Sequence, residues 1–159
     1  MELWDVLDRD GYKKGRVMVR GDEIQPGDYH LVVHVWIRND KGEYMIQKRS
    51  DTVEQWPGIW AATGGSVIAG EDSLSGAVRE LGEEMGLSLD RSTFRRLMRQ
   101  TRKTAIVDVW CAEVASEDAP SPCPGPEVSE IMWVSKQQIE DMIARGEFFP
   151  YDYLEILPD

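Results

Sequence analysis

The chain has 159 residues, 42% of them hydrophobic and 30% charged, the size and make-up of a single globular domain. Its 18 basic and 29 acidic residues leave a net charge of −11, so general nucleic-acid binding is not expected: such a surface repels a phosphate backbone. The longest apolar run, Leu31 to Ile37, is broken by His34 and is too short to span a bilayer, and no basic-then-apolar segment opens the chain; a cytoplasmic protein is expected.

Leu3 to Val19 reads as two short strands around a turn at Asp8-Arg9-Asp10-Gly11, and Gly21 to Asp28 as a polar connection. Residues 1–28 are thus an amino-terminal hairpin and connection within one domain, 1–159. His30 to Arg38 is a strand with Leu31, Val33, Val35 and Ile37 on one face and His30, Val32, His34, Trp36 and Arg38 on the other. The turn Asn39-Asp40-Lys41-Gly42 leads into a second strand, Glu43 to Arg49. Asp51 to Gly70, rich in Trp, Pro and Gly, is expected to be a loop.

Asp72 to Gly86 is expected to be a helix, with Leu74, Ala77, Val78, Leu81 and Met85 as its apolar stripe. Asp72 or Ser73 suits its start and Gly86 its end. Phe94 to Thr101 and Thr104 to Val114 form another strand pair. Ser116 to Glu127 holds four of the eight prolines and is expected to be an extended surface loop. Val128 to Val134 is a short strand, and Ser135 with Gln138 has capping-box spacing for a last helix through about Ala144. Strands mixed with two helices give an α/β or α+β fold, helices against a mixed sheet.

Cys111 and Cys123 are the only cysteines and His30 and His34 the only histidines, which argues against a disulfide framework and against a thiolate or histidine metal site. Cys111 reads as a small core residue and Cys123 as a loop thiol. Glu80, Glu83 and Glu84 stand at i, i+3 and i+4, inside an arc of roughly 100° opposite the apolar stripe. Like charges at this spacing repel, and only Arg79 is adjacent. Such a patch is either a solvated acidic face or a site for a hard cation such as Mg²⁺.

The residues around the patch favour the cation. Gly65 is followed after five residues by Glu71, after seven more by Arg79-Glu80-Leu81, then by Glu83-Glu84 and Gly86-Leu87. This stretch, 65–87, resembles the signature of the Nudix hydrolases, with every fixed position filled. Seven fixed residue types match by chance about once in 10⁸ to 10⁹ windows. The resemblance implies a Nudix α/β/α sandwich, with a mixed sheet between helices. It implies that Glu80, Glu83 and Glu84, joined by the Gly65 carbonyl, hold Mg²⁺ or Mn²⁺. Gly65 is expected to let the backbone turn tightly. Arg79 would orient a neighbouring glutamate, with Glu71 as its structural partner. The reaction implied is hydrolysis of a nucleoside diphosphate linked to another group, by water attack at phosphorus. The partner is a small-molecule diphosphate, and a homodimer is the family-level expectation.

Within the family, Tyr29 to Ile37, Gln47 to Ser50 and Trp56-Pro57-Gly58-Ile59-Trp60 look like a subgroup similar to isopentenyl diphosphate isomerase. That enzyme needs a cysteine where this chain has Gly65 and a metal histidine where it has Val67. It needs glutamates where this chain has Val107 and Val109. His30 matches one of its metal histidines, but alone it reads as a hydrogen-bonded sheet residue. Hydrolysis is therefore expected, and isomerisation is not. A non-catalytic nucleotide-binding sensor is the remaining alternative, and the complete signature argues against it.

Outside the signature, Glu127 and Glu130 are candidates for the general base, with Glu83 as the candidate from within it. Lys48 and Arg49 end a strand near the expected cleft, and only one of them can face inward to hold phosphate; Arg49 is the choice. Trp56, Trp60 and Trp110 either pack or stack on a base.

Overall fold

The computed structural model describes residues 1–159. In chain order it runs β1 (Leu3–Leu7), β2 (Lys13–Val19), β3 (His30–Asn39), β4 (Glu43–Arg49), β5 (Trp60–Ala61), β6 (Thr63–Ser66), α1 (Ser73–Met85), β7 (Phe94–Thr101), β8 (Ala105–Val114), β9 (Val128–Ser135) and α2 (Lys136–Ala144). β1 and β2 pair as a separate antiparallel hairpin. The other seven strands form a mixed sheet in the order β5-β4-β3-β8-β7, with β6 also on β3 and β9 also on β4. The β3–β8 pair is parallel over its whole length.

β3 and β4 pair only beside their turn, at Ile37–Met45 and Arg38–Tyr44. β9 pairs with β4 along its whole length; beyond the turn β5 replaces β3 beside β4, at Gln47–Ala61 and Lys48–Trp60, and β6 replaces β4 on β3 from Val35–Thr63 to Val32–Ser66. The sheet therefore splits between β5 and β6, and the cleft described below opens at the split.

Both faces of β3 are covered, as its near-continuous apolar run requires. Val33, Val35 and Ile37 pack with Ala77, Leu81 and Met85 of α1. Trp36 packs on the other side with Ile139 and Met142 of α2. This is a three-layer α/β/α arrangement, and each fully buried aliphatic contributes about 1.5–3 kcal/mol. Asp72 caps α1, its carboxylate accepting the Ser75 N–H at 2.8 Å. Gly86 ends it in the left-handed region at φ 65°, where a side chain would also strike the Cys123 carbonyl. α2 opens with the Ser135–Gln138 capping box.

Two segments differ from the expectation. Asp51 to Gly70 is not one loop, since it contains β5 and β6. Gly64 and Gly65 have no strand propensity of their own, and β6 exists because its backbone pairs with β3. Residues 145–159 carried no expected element, yet Phe148, Tyr153, Leu154 and Leu157 are buried in the α2-side core. No helix is long and apolar enough to cross a membrane.

Candidate active site

The acidic patch is not a solvated face. Glu80 is 9% and Glu84 6% exposed, because the side of α1 that carries Gly76, Glu80 and Glu84 packs toward β6 and its flanks. Glu83 alone turns outward. Gly65 lies in extended β6 rather than in a tight turn, and its φ is not positive. The need for glycine there is space: a Cβ would collide with the Glu80 carboxylate. Glu84 lies over the neighbouring backbone, accepting the Gly64 N–H at 3.0 Å and the Gln47 amide at 3.3 Å.

Arg79 ties the cluster together. Its guanidinium donates to both Glu71 oxygens at 2.9 and 3.1 Å, to the Ser66 carbonyl at 3.0 Å, to Glu80 at 3.0 Å and to Glu83 at 3.2 Å. Burial works against ionisation of Glu71, but Arg79 and the Ile68 N–H outweigh it and hold its carboxyl below the usual range. The opposite holds for the inward pair. Burial pushes Glu80 up to about 7 even with Arg79 beside it, and Glu84 up to about 8.

Burial, rather than neighbouring anions, is the main cause that disfavours ionisation of these two carboxyls. The donor atoms are all oxygen, a set suited to Mg²⁺ or Mn²⁺. The residues present therefore fit a divalent cation. They are not a finished cage: no three His, Cys, Asp or Glu side chains converge on one point, since Glu83 is drawn aside by Arg79.

Two cavities flank the cluster. The larger, about 870 Å³, is lined among others by Arg20, His30, Arg49, Ser66 and Glu127. The signature carboxylates do not line it; it meets the cluster at Ser66, whose carbonyl binds Arg79. The smaller, about 280 Å³, is lined by His34, Trp56, Gly64, Gly65, Phe149 and Tyr151. His30, Val32 and His34 share one face of β3, and Arg49 and Gln55 border both cavities, so the two form one trough along that face.

The proline-rich loop positions Glu127. The N–H groups of Cys123 and Gly125 donate to the carbonyls of Met85 and Glu84, capping the end of α1. This brings Glu127 to the cavity wall, whereas Glu130 lies on β9 in an ion pair with Lys48 at 3.5 Å. Of the strand-end cations, Arg49 faces the trough, its Nε held by the Gln55 carbonyl at 2.9 Å, and Lys48 does not line it.

The NUDIX domain family profile matches residues 28–155. The chain belongs to the Nudix family. An uncharacterised Nudix hydrolase of Listeria innocua is 35% identical over 158 residues, covering 99% of this chain and 94% of the relative. An isopentenyl-diphosphate Delta-isomerase of Cutibacterium acnes is 30% identical over 150 residues, covering 86% and 75%. A Deinococcus radiodurans crystal structure superposes with TM-score 0.79 at 22% identity, covering 98% and 96%, and shares the fold.

In this Nudix chain the positions where the isomerase resemblance calls for Cys, His and two Glu hold Gly65, Val67, Val107 and Val109. Val67 packs against Gly76 of α1, and Val107 and Val109 are buried in the α2-side core, so none presents an acid or base.

Several trough residues carried no sequence expectation of a binding role. Arg20 follows β2 and reaches the large cavity, held by Glu2 at 2.7 Å, and Trp4 of β1 stacks on His30 at 4.1 Å. Nothing local marks either one, since the docking of the hairpin delivers them. His34 did carry a signal, a polar residue inside an apolar run on the same face as His30. Burial pulls His34 down to about 4 and lowers His30 as well. Trp56 is half-exposed in the small cavity, whereas Trp110 is fixed by donating to Ser73 at 3.0 Å. Cys111 is buried and Cys123 exposed.

Proposed function

We propose that this protein hydrolyses the diphosphate bond of a nucleoside-diphosphate-linked or related small molecule, by attack of water at phosphorus, with Mg²⁺ or Mn²⁺ as cofactor. The observation that carries this reading is the inward pair Glu80 and Glu84, buried against Gly64 and Gly65 with pKa values pushed up to about 7 and 8. Two carboxylates fixed side by side against backbone offer the oxygen donors a hard cation takes. Glu80, Glu83, Glu84 and the Gly65 carbonyl are the groups that would hold it. When bound, such a cation offsets diphosphate charge and lowers the pKa of bound water.

The chain's own residues supply the rest. Arg79 holds Glu80 in place and takes its rigidity from Glu71. Arg49, at the junction of the two cavities, and Arg20 offer cationic donors to phosphate oxygens. Glu127 on the cavity wall is the group outside the helix placed to take the proton of the attacking water; Glu130, paired with Lys48, is the weaker candidate. The bond formed is water oxygen to phosphorus, and the bond broken is the bridging P–O.

The test is phosphate release from isopentenyl diphosphate, nucleotide sugars, dinucleotides and nucleoside di- and triphosphates, with Mg²⁺ and with Mn²⁺, each with and without added phosphatase. Metal-dependent turnover of some members is expected and names the substrate class. No turnover with metal shown to bind moves the assignment to a substrate outside this panel or to a nucleotide-binding sensor. Conversion of isopentenyl to dimethylallyl diphosphate overturns the hydrolase reading in favour of an isomerase.

A further inference from the structure

Trp36, Tyr153 and His34 form a hydrogen-bonded chain from the core to the wall of the small cavity. Trp36 Nε1–H donates to Tyr153 Oη at 3.1 Å, and Tyr153 Oη lies 2.7 Å from His34 Nδ1. Trp36 and Tyr153 are both buried. Indole nitrogen only donates, so Trp36 occupies a lone pair of the Tyr153 oxygen. The Tyr153 hydroxyl proton then has one acceptor in reach, His34 Nδ1. A proton on Nδ1 instead would leave a buried hydroxyl proton unpaired, which folded proteins avoid. Nδ1 therefore accepts, and the His34 ring carries its single proton on Nε2.

That Nε2–H makes no hydrogen bond within the protein, and His34 lines the small cavity. Around it stand aromatic walls. Trp56 and Phe149 lie 4.9 Å apart at 62°, Phe149 and Tyr151 4.8 Å apart, and Tyr151 meets His34 edge-on at 5.3 Å. Trp56 is the only non-glycine residue at positive φ, 52°, and it is half-exposed. Backbone strain of this kind clusters at ligand clamps and active sites, and here it holds a bulky ring on the wall of a cavity. The cavity, about 280 Å³, lies at the small end of ligand sites and suits one ring system rather than a whole dinucleotide.

We propose that the small cavity takes the non-phosphate end of the substrate, and that His34 is its specificity-determining donor. Its Nε2–H hydrogen-bonds a carbonyl oxygen or ring nitrogen of a planar heterocycle held against the Trp56–Phe149–Tyr151 wall. Tyr153 is a positioning residue that fixes the His34 tautomer. The assignment rests on the diphosphate reading, which places phosphate at Arg49 where the two cavities meet. A purely hydrocarbon group is disfavoured, because it would strand the donor.

The experiment uses the full chain with ring-¹⁵N histidine, whose two imidazoles are told apart by a His30→Gln variant. Long-range ¹H–¹⁵N spectra at pH 7.5 should show His34 protonated on Nε2 and bare on Nδ1, and Tyr153→Phe should release that preference. Uridine and adenosine 5′-monophosphates should shift the His34 Nε2 resonance, and inorganic phosphate and isopentenyl monophosphate should not. His34→Phe should weaken binding of both nucleotides at least tenfold and change phosphate affinity less than twofold, while His34→Gln, which keeps a donor, should recover most of the loss. A ring protonated on Nδ1, a His34 resonance unmoved by either nucleotide, or unchanged nucleotide affinity in His34→Phe overturns the proposal. These readouts need no turnover. Nucleotide binding through His34 without phosphate release sinks only the hydrolase reading, and phosphate release with an unchanged KM in His34→Phe sinks only this one.

Discussion

Gly65 and Glu80 compete for the same space: a Cβ on Gly65 would collide with the Glu80 carboxylate. The colliding atoms are the far end of a flexible side chain, so an added methyl displaces the carboxylate and spares the backbone. Gly65→Ala should therefore fold, with a Tm within about 4 °C of the parent. Its metal-dependent turnover should fall roughly 100-fold, the scale expected for a catalytic group misplaced by about 1 Å. Thermal melts and kcat measured side by side check this; a parent-like kcat would show that Glu80 has no need of that position.

Arg79 serves four acceptors, and no other side chain replaces it. Arg79→Ala should lower stability by roughly 2 kcal/mol in urea unfolding, the scale of a lost charged hydrogen-bond set. Arg79→Lys should recover little, because a single ammonium cannot grip both Glu71 oxygens while also reaching Glu80.

The inward carboxylates make stability depend on pH in an unusual direction. Their folded pKa values, about 7 for Glu80 and about 8 for Glu84, lie above the ordinary 4.5, so the folded state binds more protons than the unfolded state between pH 4.5 and 8. In the metal-free protein their contribution is thus most favourable below pH 4.5 and is lost as pH rises toward 8. Glu84→Gln removes one such group. With chelator present, its Tm should exceed the parent's at pH 8, and that advantage should shrink toward pH 5. Equal differences at both pH values would show that the Glu84 carboxyl does not titrate in this window.

Glu127 and Glu130 are three residues apart, yet one lines the large cavity and the other pairs with Lys48 on β9. Glu127→Gln should reduce kcat by about 100-fold or more, as expected for removal of a general base. Glu130→Gln and Lys48→Met should remain within about twofold, since exposed ion pairs contribute little. A large loss in Glu130→Gln would exchange their roles.

Asp108 is wholly buried and gripped by Arg99 at 2.7 and 2.8 Å, with Ser73 donating at 2.6 Å. Arg99→Ala removes the bidentate pair and leaves this buried carboxylate to Ser73 and to Arg96, 3.6 Å away; it should cost about 2 kcal/mol, a Tm drop of roughly 4–8 °C, in calorimetry. This cluster anchors the start of α1 to β8 and so holds the signature helix in place.

The local elements were legible because each carries its cause in adjacent residues. Alternation marks β3, the apolar stripe with Asp72 and Gly86 marks α1, and Ser135 with Gln138 marks the start of α2. β6 was not legible. Two glycines have no strand preference, and its existence depends on backbone pairing with β3, more than 25 residues away. The carboxyl-terminal segment was missed for a related reason: Phe148, Tyr153 and Leu157 show no period, and they are buried because α2 returns the chain to the core.

The candidate site divides along the same line. The sequence alone determined that Arg79, Glu80, Glu83 and Glu84 share one stretch of helix, since 3.6 residues per turn dictates it. It also supplied the glycine, the partner Glu71 and the family. Which carboxylates face inward, that Gly65 serves by leaving room rather than by turning, and which of Glu127 and Glu130 or Arg49 and Lys48 meets the cleft were decided only by tertiary structure. Helix periodicity is a local property of the chain. The packing of α1 on β6, the parting of β3 from β4 and the docking of the hairpin that delivers Arg20 join residues distant in sequence, and burial, charge and the shape of the cleft follow from them.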